Sequence, residues 1–185
     1  MAVDATGVAR RGRAPSKREI KQYLSFEIAN IPTLLCTKKQ WVCWRCEQRG
    51  EKLAKIPISP LTGRVTAVND PSKITDFHTA VDFARKNGMG IGFCTFRGDG
   101  IVMVDVDDKE LALKLARMAG SYAEWSPSRQ GAHIYVLGRW ESSKHRRGKI
   151  EVYDSDRFFT VTSPLFLLAS LKAFKNSVTA IFVCF

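Results

Sequence analysis

Ile101-Val102-Met103-Val104-Asp105-Val106-Asp107-Asp108 decides how this chain is read. Four apolar residues run into alternating carboxylates. A strand turns successive side chains to opposite faces, so Asp105 and Asp107 share one face. Two carboxylates forced together at the end of a buried strand repel. A divalent cation resolves that repulsion, and hard cations take oxygen ligands. The plainer alternative is that Asp107 or Asp108 only caps the next helix, with Asp105 a solvated strand end. A third acid on a neighbouring strand weighs against that alternative. Lys149-Ile150-Glu151-Val152-Tyr153 supplies it in Glu151, whose apolar flanks mean that an inward carboxylate needs a partner.

Working outward, Trp41 to Glu47 and Lys52 to Ile58 are predicted as a hairpin around the turn Gln48-Arg49-Gly50-Glu51. Phe77, Ala80, Val81 and Ala84 mark one buried helical face, and Gly88 is its stop. Ile91 to Phe96 and Ile101 to Val106 have strand length. The Gly-rich turn Arg97-Gly98-Asp99-Gly100 predicts that they pair as a hairpin. A helix follows over Lys109 to Met118, with Leu111, Leu115 and Met118 as its stripe. Four more strands are expected: Tyr122 to Trp125, Ala132 to Leu137, Lys149 to Tyr153 and Phe158 to Thr162. One or two short helices fit between Ser16 and Leu35. The class is α+β, with a mainly antiparallel sheet and two principal helices.

The 185 residues hold 29 Lys plus Arg against 18 Asp plus Glu, a net charge of +11. Such a surface favours polyanions and excludes an acidic solvating protein. The five Cys, an odd number with no signal peptide, point to reduced thiols in the cytoplasm. Cys43-x-x-Cys46 stands alone without a second ligand pair, so a zinc site is not expected. Residues 1–18 read as a basic disordered arm and 19–162 as the catalytic domain. Residues 163–185 form an apolar tail short of the roughly 20-residue run a membrane span needs.

Two further stretches carry chemistry. In Ser126-Pro127-Ser128-Arg129-Gln130-Gly131-Ala132-His133, hydroxyls, backbone N–H groups and a His donor can grip a phosphate chain. Further on, Tyr153 shares the face of Glu151, and Arg157 starts the next strand. The forked donors of Arg suit phosphate. The loop Gly138 to Gly148 is densely basic, with Lys144, Arg146 and Arg147.

Together these motifs resemble the archaeo-eukaryotic primase superfamily, in particular the compact primase-polymerase domains of phage and mobile-element replication proteins. The resemblance runs from about Lys39 to Thr162 through Trp41-Val42-Cys43-Trp44, Lys55-Ile56-Pro57-Ile58-Ser59-Pro60, Asp70-Pro71, Gly90-Ile91-Gly92-Phe93, Asp105 and Asp107, Ser126 to His133, and Glu151 to Thr160. It implies an RRM-like catalytic half with a smaller N-terminal α/β half and the site in the cleft between them. It implies a DNA primase or polymerase joining NTPs or dNTPs on a single-stranded DNA template. Asp105, Asp107 and Glu151 would hold two Mg2+ or Mn2+ ions. His133, Ser126, Ser128, Arg157 and Tyr153 would bind the nucleotide, with Lys55 a further phosphate or template contact. Lys144, Arg146, Arg147 and Trp44 would hold the template, and a separate helicase or accessory priming domain is the expected partner. One departure stands out: the family pattern continues Thr-Val-Thr-Gly, and here Ser163 stands in the Gly position.

Two other readings stay open at this level. A metal-dependent nuclease would use the same three acids, without needing a triphosphate pocket. A non-catalytic single-strand binder would need only the net charge, Trp41, Trp44 and the basic loop, since stacking and phosphate contacts need no acid cluster.

Overall fold

Strands buried on both faces need partners along both edges, and that requirement sorts this chain into two sheets. The structure, a computed structural model, describes residues 2–3, 9–10, 15–50, 52–163, 165–167 and 171–173. The elements in chain order are β1 (Ala2–Val3), β2 (Ala9–Arg10), α1 (Lys17–Tyr23), α2 (Thr33–Cys36), β3 (Trp41–Arg49), β4 (Lys52–Ile58), α3 (Phe77–Asn87), β5 (Gly90–Cys94), β6 (Ile101–Val106), α4 (Lys109–Ala119), β7 (Ala123–Trp125), β8 (Ala132–Leu137), β9 (Arg146–Arg147), β10 (Ile150–Tyr153), β11 (Phe158–Val161) and β12 (Leu165–Leu167). One sheet has the order β11-β5-β3-β4, the other β12-β7-β8-β6-β10-β9, and β1 pairs with β2. The class is α+β with antiparallel sheets, and α3 and α4 are the two principal helices.

The expected hairpin of β5 and β6 does not form. β5 is already flanked by β3 and β11, and β6 by β8 and β10. The turn between them carries the chain from one sheet to the other. Asp99 pins it: its carboxylate accepts from the Ile101 amide at 2.8 Å, the Phe96 amide at 3.2 Å and Gln40 Nε2 at 2.6 Å. The smaller half is also not purely N-terminal, because β11 returns from beyond Glu151 to complete its sheet. In the larger sheet the central strands run β7-β8-β6-β10 with one crossover helix, α4; the crossover over residues 138–149 carries only β9.

Alternation along β6 divides the interior. Ile101 and Met103 join Tyr122, Tyr135, Trp41 and Phe93 in a core shared by both sheets. Val102, Val104 and Val106 back onto α4. The face of α4 that they meet is Ala112, Leu115, Ala116 and Ala119; Met118, expected in that stripe, is 47% exposed. Three alanines at i, i+4 and i+7 let the helix axis sit low on the sheet. Each large side chain fully buried this way contributes roughly 1.5–3 kcal/mol.

Gly90 and Gly92 have a packing reason. A Cβ on Gly90 would collide with the indole of Trp44, and one on Gly92 would sit 2.8 Å from the Phe158 ring. Trp44 is 1% exposed and donates Nε1–H to the Ile91 carbonyl at 3.0 Å; Trp41 is 0% exposed. Neither can stack on a base, which corrects the assignment of Trp44 to nucleic acid and removes the aromatic platform of the non-catalytic binder. Cys43 and Cys46 lie three residues apart on β3 and so face opposite ways. Burial pushes their thiols up to about 12 and about 11, which suits apolar packing rather than reactivity.

Lys17 and Arg18, assigned to a disordered arm, open α1 under a Ser16–Glu19 capping box. The rest of that arm, beyond β1 and β2, lies outside the described residues. So does most of the 163–185 tail, apart from β12 on β7 and Lys172, whose amide donates to Ser121 Oγ at 2.9 Å. Among the described residues no helix is long and apolar enough to cross a membrane.

Candidate active site

Register places five side chains in one row across the larger sheet. Glu124 on β7 is opposite His133 on β8, His133 is opposite Asp105 on β6, Asp105 is opposite Glu151 on β10, and Glu151 is opposite Arg146 on β9. Directly opposed residues lie on one face. His133 Nε2 is 3.8 Å from Asp105 Oδ1, and its Nδ1 is 3.6 Å from Glu124 Oε1. Arg146 Nη1 lies 3.1 Å from Glu151 Oε1. The row has a buried end and a partly exposed end: the side chain of Glu124 is 0% exposed and His133 3%, against 33% for Asp105 and 27% for Glu151.

Asp107 lies one residue past β6 and exposed, with its amide donating to the Lys149 carbonyl at 2.8 Å. The helix cap is Asp108, which accepts from the Leu111 amide at 2.9 Å and pairs with Lys149 at 2.6 Å. Asp107 is therefore not spent on capping. Although the residue is exposed, the surrounding site partly desolvates its carboxyl; that raises its pKa above the ordinary carboxylate value, and the charges of Asp105 and Glu151 raise it further against Lys55 and Arg146. Lys55 comes from β4 in the other sheet. Burial lowers its pKa, and Asp105 and Asp107 work against that lowering. The β11 ring of Phe159 also meets His133, at 5.4 Å between centroids. The site thus forms where the two sheets meet.

The 126–131 loop closes over the end of β6. Ser126 Oγ is 3.0 Å from Ser128 Oγ, and Arg129 takes the left-handed conformation at φ 58°. A Cβ on Gly131 would strike the Val106 carbonyl, so only glycine allows this approach between Asp105 and Asp107. Tyr153 donates to Glu151 Oε2 at 2.9 Å, and its ring stacks on His145 at 5.1 Å. The Arg157 guanidinium lies 4.8 Å from the centre of that ring, a cation–π contact.

The structure therefore gathers Asp105, Asp107, Glu151, His133, Ser126, Ser128, Tyr153, Arg157 and Lys55 in one region. Arg146 differs from its assignment: it pairs with Glu151 instead of standing free for a template. Lys144 and Arg147 are exposed beside it. Glu124 went unnoticed in the sequence. Its signal was a lone carboxylate in a strand otherwise bulky and apolar, the same argument that found Glu151.

The donor set suits a hard cation in kind: three carboxylates, all oxygen donors, with Asp105 and Glu151 close enough to Asp107 to raise its proton affinity. Among the described residues, though, no group of three or more His, Cys, Asp or Glu is already drawn together as a metal cage. Glu151 is instead engaged by Arg146 and Tyr153, partners that a cation would replace.

No family model matches the chain. It is similar to a curated protein, the DNA primase-polymerase of Nitratiruptor phage NrS-1, with 31% identity over 157 aligned residues. The match takes in 75% of this chain and 21% of the relative, so the chain spans about a fifth of that relative's length.

Proposed function

We propose that this chain is the nucleotidyl-transfer domain of a DNA primase-polymerase of the archaeo-eukaryotic primase superfamily, acting in the cytoplasm on single-stranded DNA. The observation that carries the reading is the cross-strand row His133–Asp105–Glu151, with Asp107 close enough to sense the charges of Asp105 and Glu151. Similarity to a relative named DNA primase-polymerase supports it. Asp105, Asp107 and Glu151 would hold two Mg2+ or Mn2+ ions, which when bound supply charge neutralisation at the triphosphate and a lower pKa for the attacking 3′-OH.

The remaining roles fall to the side chains. His133 is held at the inner edge of the carboxylates with Nε2 on the side of Asp105; with a proton on each nitrogen, its Nε2–H would donate to a phosphate oxygen while Nδ1–H stays on Glu124. Ser126 and Ser128 present two hydroxyls from a loop that Gly131 seats against β6. Arg157, oriented by the Tyr153 ring, presents a cation beside Glu151 for the leaving pyrophosphate. Lys55 approaches from the opposite sheet as a further phosphate contact. The new bond joins the 3′-oxygen to the α-phosphorus, and the α–β phosphoanhydride bond breaks. Lys144 and Arg147 lie exposed for template phosphates, with charge contacts that weaken with salt.

The test is a denaturing-gel assay on single-stranded DNA, with and without an annealed primer, with labelled nucleotides and Mn2+ or Mg2+. The expected result is product growth that is lost in Asp105→Ala/Asp107→Ala, while the variant still folds and binds DNA. Growth without a primer assigns priming. Shortening of the substrate would instead identify a nuclease. Intact DNA binding with no growth in either protein would overturn the catalytic reading for this chain.

A further inference from the structure

Glu124 is a carboxylate with no access to solvent, and four donors converge on it. Oε1 accepts from the Tyr135 hydroxyl at 2.9 Å. Oε2 accepts from the Tyr122 hydroxyl at 3.0 Å, the Thr162 amide at 3.1 Å and the Ser163 amide at 2.6 Å. Burial and the neighbouring Glu124 push both phenols above their ordinary values, so they remain donors. The Glu124 carboxylate is thus fixed from three directions: its own strand, the next strand, and the chain leaving β11. Every substituent that could rotate it is already engaged.

That fixed carboxylate faces one more group. His133 Nδ1 is buried without a hydrogen-bond partner and points to Glu124 Oε1 at 3.6 Å. The other ring nitrogen, Nε2, faces Asp105 at 3.8 Å. Phe159 closes the ring's flank edge-on at 5.4 Å. The ring therefore has a buried carboxylate on one side and the exposed acids on the other.

We infer that Glu124 is a positioning residue: it holds the His133 ring through Nδ1 and so keeps Nε2 directed to the open side of the site. Each ring nitrogen faces a carboxylate, but Glu124 is shielded from water and immobile whereas Asp105 is partly solvated, so the nearer and less screened Glu124 favours the proton on Nδ1, which fixes both tautomer and ring orientation. Because Thr162 and Ser163 hold Glu124, the turn after β11 is part of the same support. The role in catalysis rests on the proposed nucleotidyl transfer, whereas the control of the ring does not.

Two readouts separate these. In 15N correlation spectra of the full chain at a pH where the ring is neutral, His133 is expected as a single Nδ1–H tautomer. Glu124→Gln, which turns an N–H donor toward the converging donors, is expected to give a tautomer mixture. Tyr135→Phe removes one anchor without touching the ring, and should give an intermediate pattern if Glu124→Gln folds poorly. A mixture in the wild type, or the same single tautomer in both variants, would overturn the inference. In steady-state extension, Glu124→Gln is expected to raise nucleotide KM about tenfold, with kcat within about threefold. His133→Ala should do the same, and the double variant no more than His133→Ala alone. Additive losses, or a fall in kcat at constant KM, would mean that Glu124 does not act through His133. If the wild type incorporates no nucleotide, the proposed function fails while the tautomer result still decides the inference.

Discussion

Glu124 and Glu151 stand in the same row of one sheet, on either side of the His133–Asp105 pair, and they are built in opposite ways. Glu124 has no solvent exposure and four hydrogen bonds from fixed donors. Glu151 is partly exposed and is held by one flexible Arg and one Tyr hydroxyl. A saturated buried carboxylate cannot change partners without leaving donors unpaired, so its contribution is to geometry and stability. A partly exposed carboxylate with exchangeable partners can turn to a new one at small cost, so its contribution is to chemistry. Residue type and strand position are shared; what differs is the set of groups that would be stranded on removal.

The largest effects test that contrast in both directions. Glu124→Ala strands four donors, and a penalty of about 4 kcal/mol is expected once some are rehydrated. Glu151→Gln loses only partly exposed contacts with exchangeable partners, for which about 1 kcal/mol or less is expected. Urea denaturation measures both. Nucleotide incorporation should rank one of them the other way, with Glu151→Gln reducing turnover by about 10²–10³-fold while the fold persists. Equal stability losses for the two would break the comparison.

A smaller effect separates the neighbours Asp107 and Asp108. Burial, then Asp105 and Glu151, raises the Asp107 pKa. A raised carboxylate contributes stability that is fully present below its unfolded pKa and lost as pH rises through the folded value. The Leu111 amide, then Lys149, lowers the Asp108 pKa. Its stability is present above the unfolded pKa and lost as pH falls. Asp107→Asn should therefore melt above the wild type, with a gap that opens as pH climbs through the carboxylate range. Asp108→Asn should melt below it, with a gap that closes in acid. A gap independent of pH in the first case would mean that the three acids do not sense one another.

Most strands and the acidic motif were legible because period and chemistry coincide in them: Val102, Val104 and Val106 alternate with Met103, Asp105 and Asp107. The pairing of β5 and β6 was not. A Gly-rich turn looks alike whether it folds a strand back or carries the chain to another sheet, and the choice was made by β3, β8, β10 and β11, distant in sequence. Trp44 was misassigned because an aromatic in a strand has the same pattern on a surface as over a glycine; only the facing Gly90 marks it as buried. Glu124 was missed because two of its four donors, Thr162 and Ser163, lie 38 and 39 residues away, and nothing local shows that the chain returns to them.

Ser163 offers the smallest and sharpest test of the buried end. It adopts φ 55°, the left-handed region, where the resembling family carries glycine. The strain is held by its amide, which must point at Glu124 to make the 2.6 Å hydrogen bond. A side chain in that conformation costs about 1–2 kcal/mol. Glycine removes that cost but loses roughly 0.5–1 kcal/mol to the freedom of the unfolded chain. Ser163→Gly is therefore expected to stabilise by about 0.5 kcal/mol, measured as a shifted urea midpoint at unchanged slope. In a Glu124→Ala background the reason for the left-handed turn is gone, and the gain should vanish because Ser163 can relax to an ordinary conformation. A gain of equal size in both backgrounds would mean that local chain geometry, and not the buried carboxylate, sets the turn.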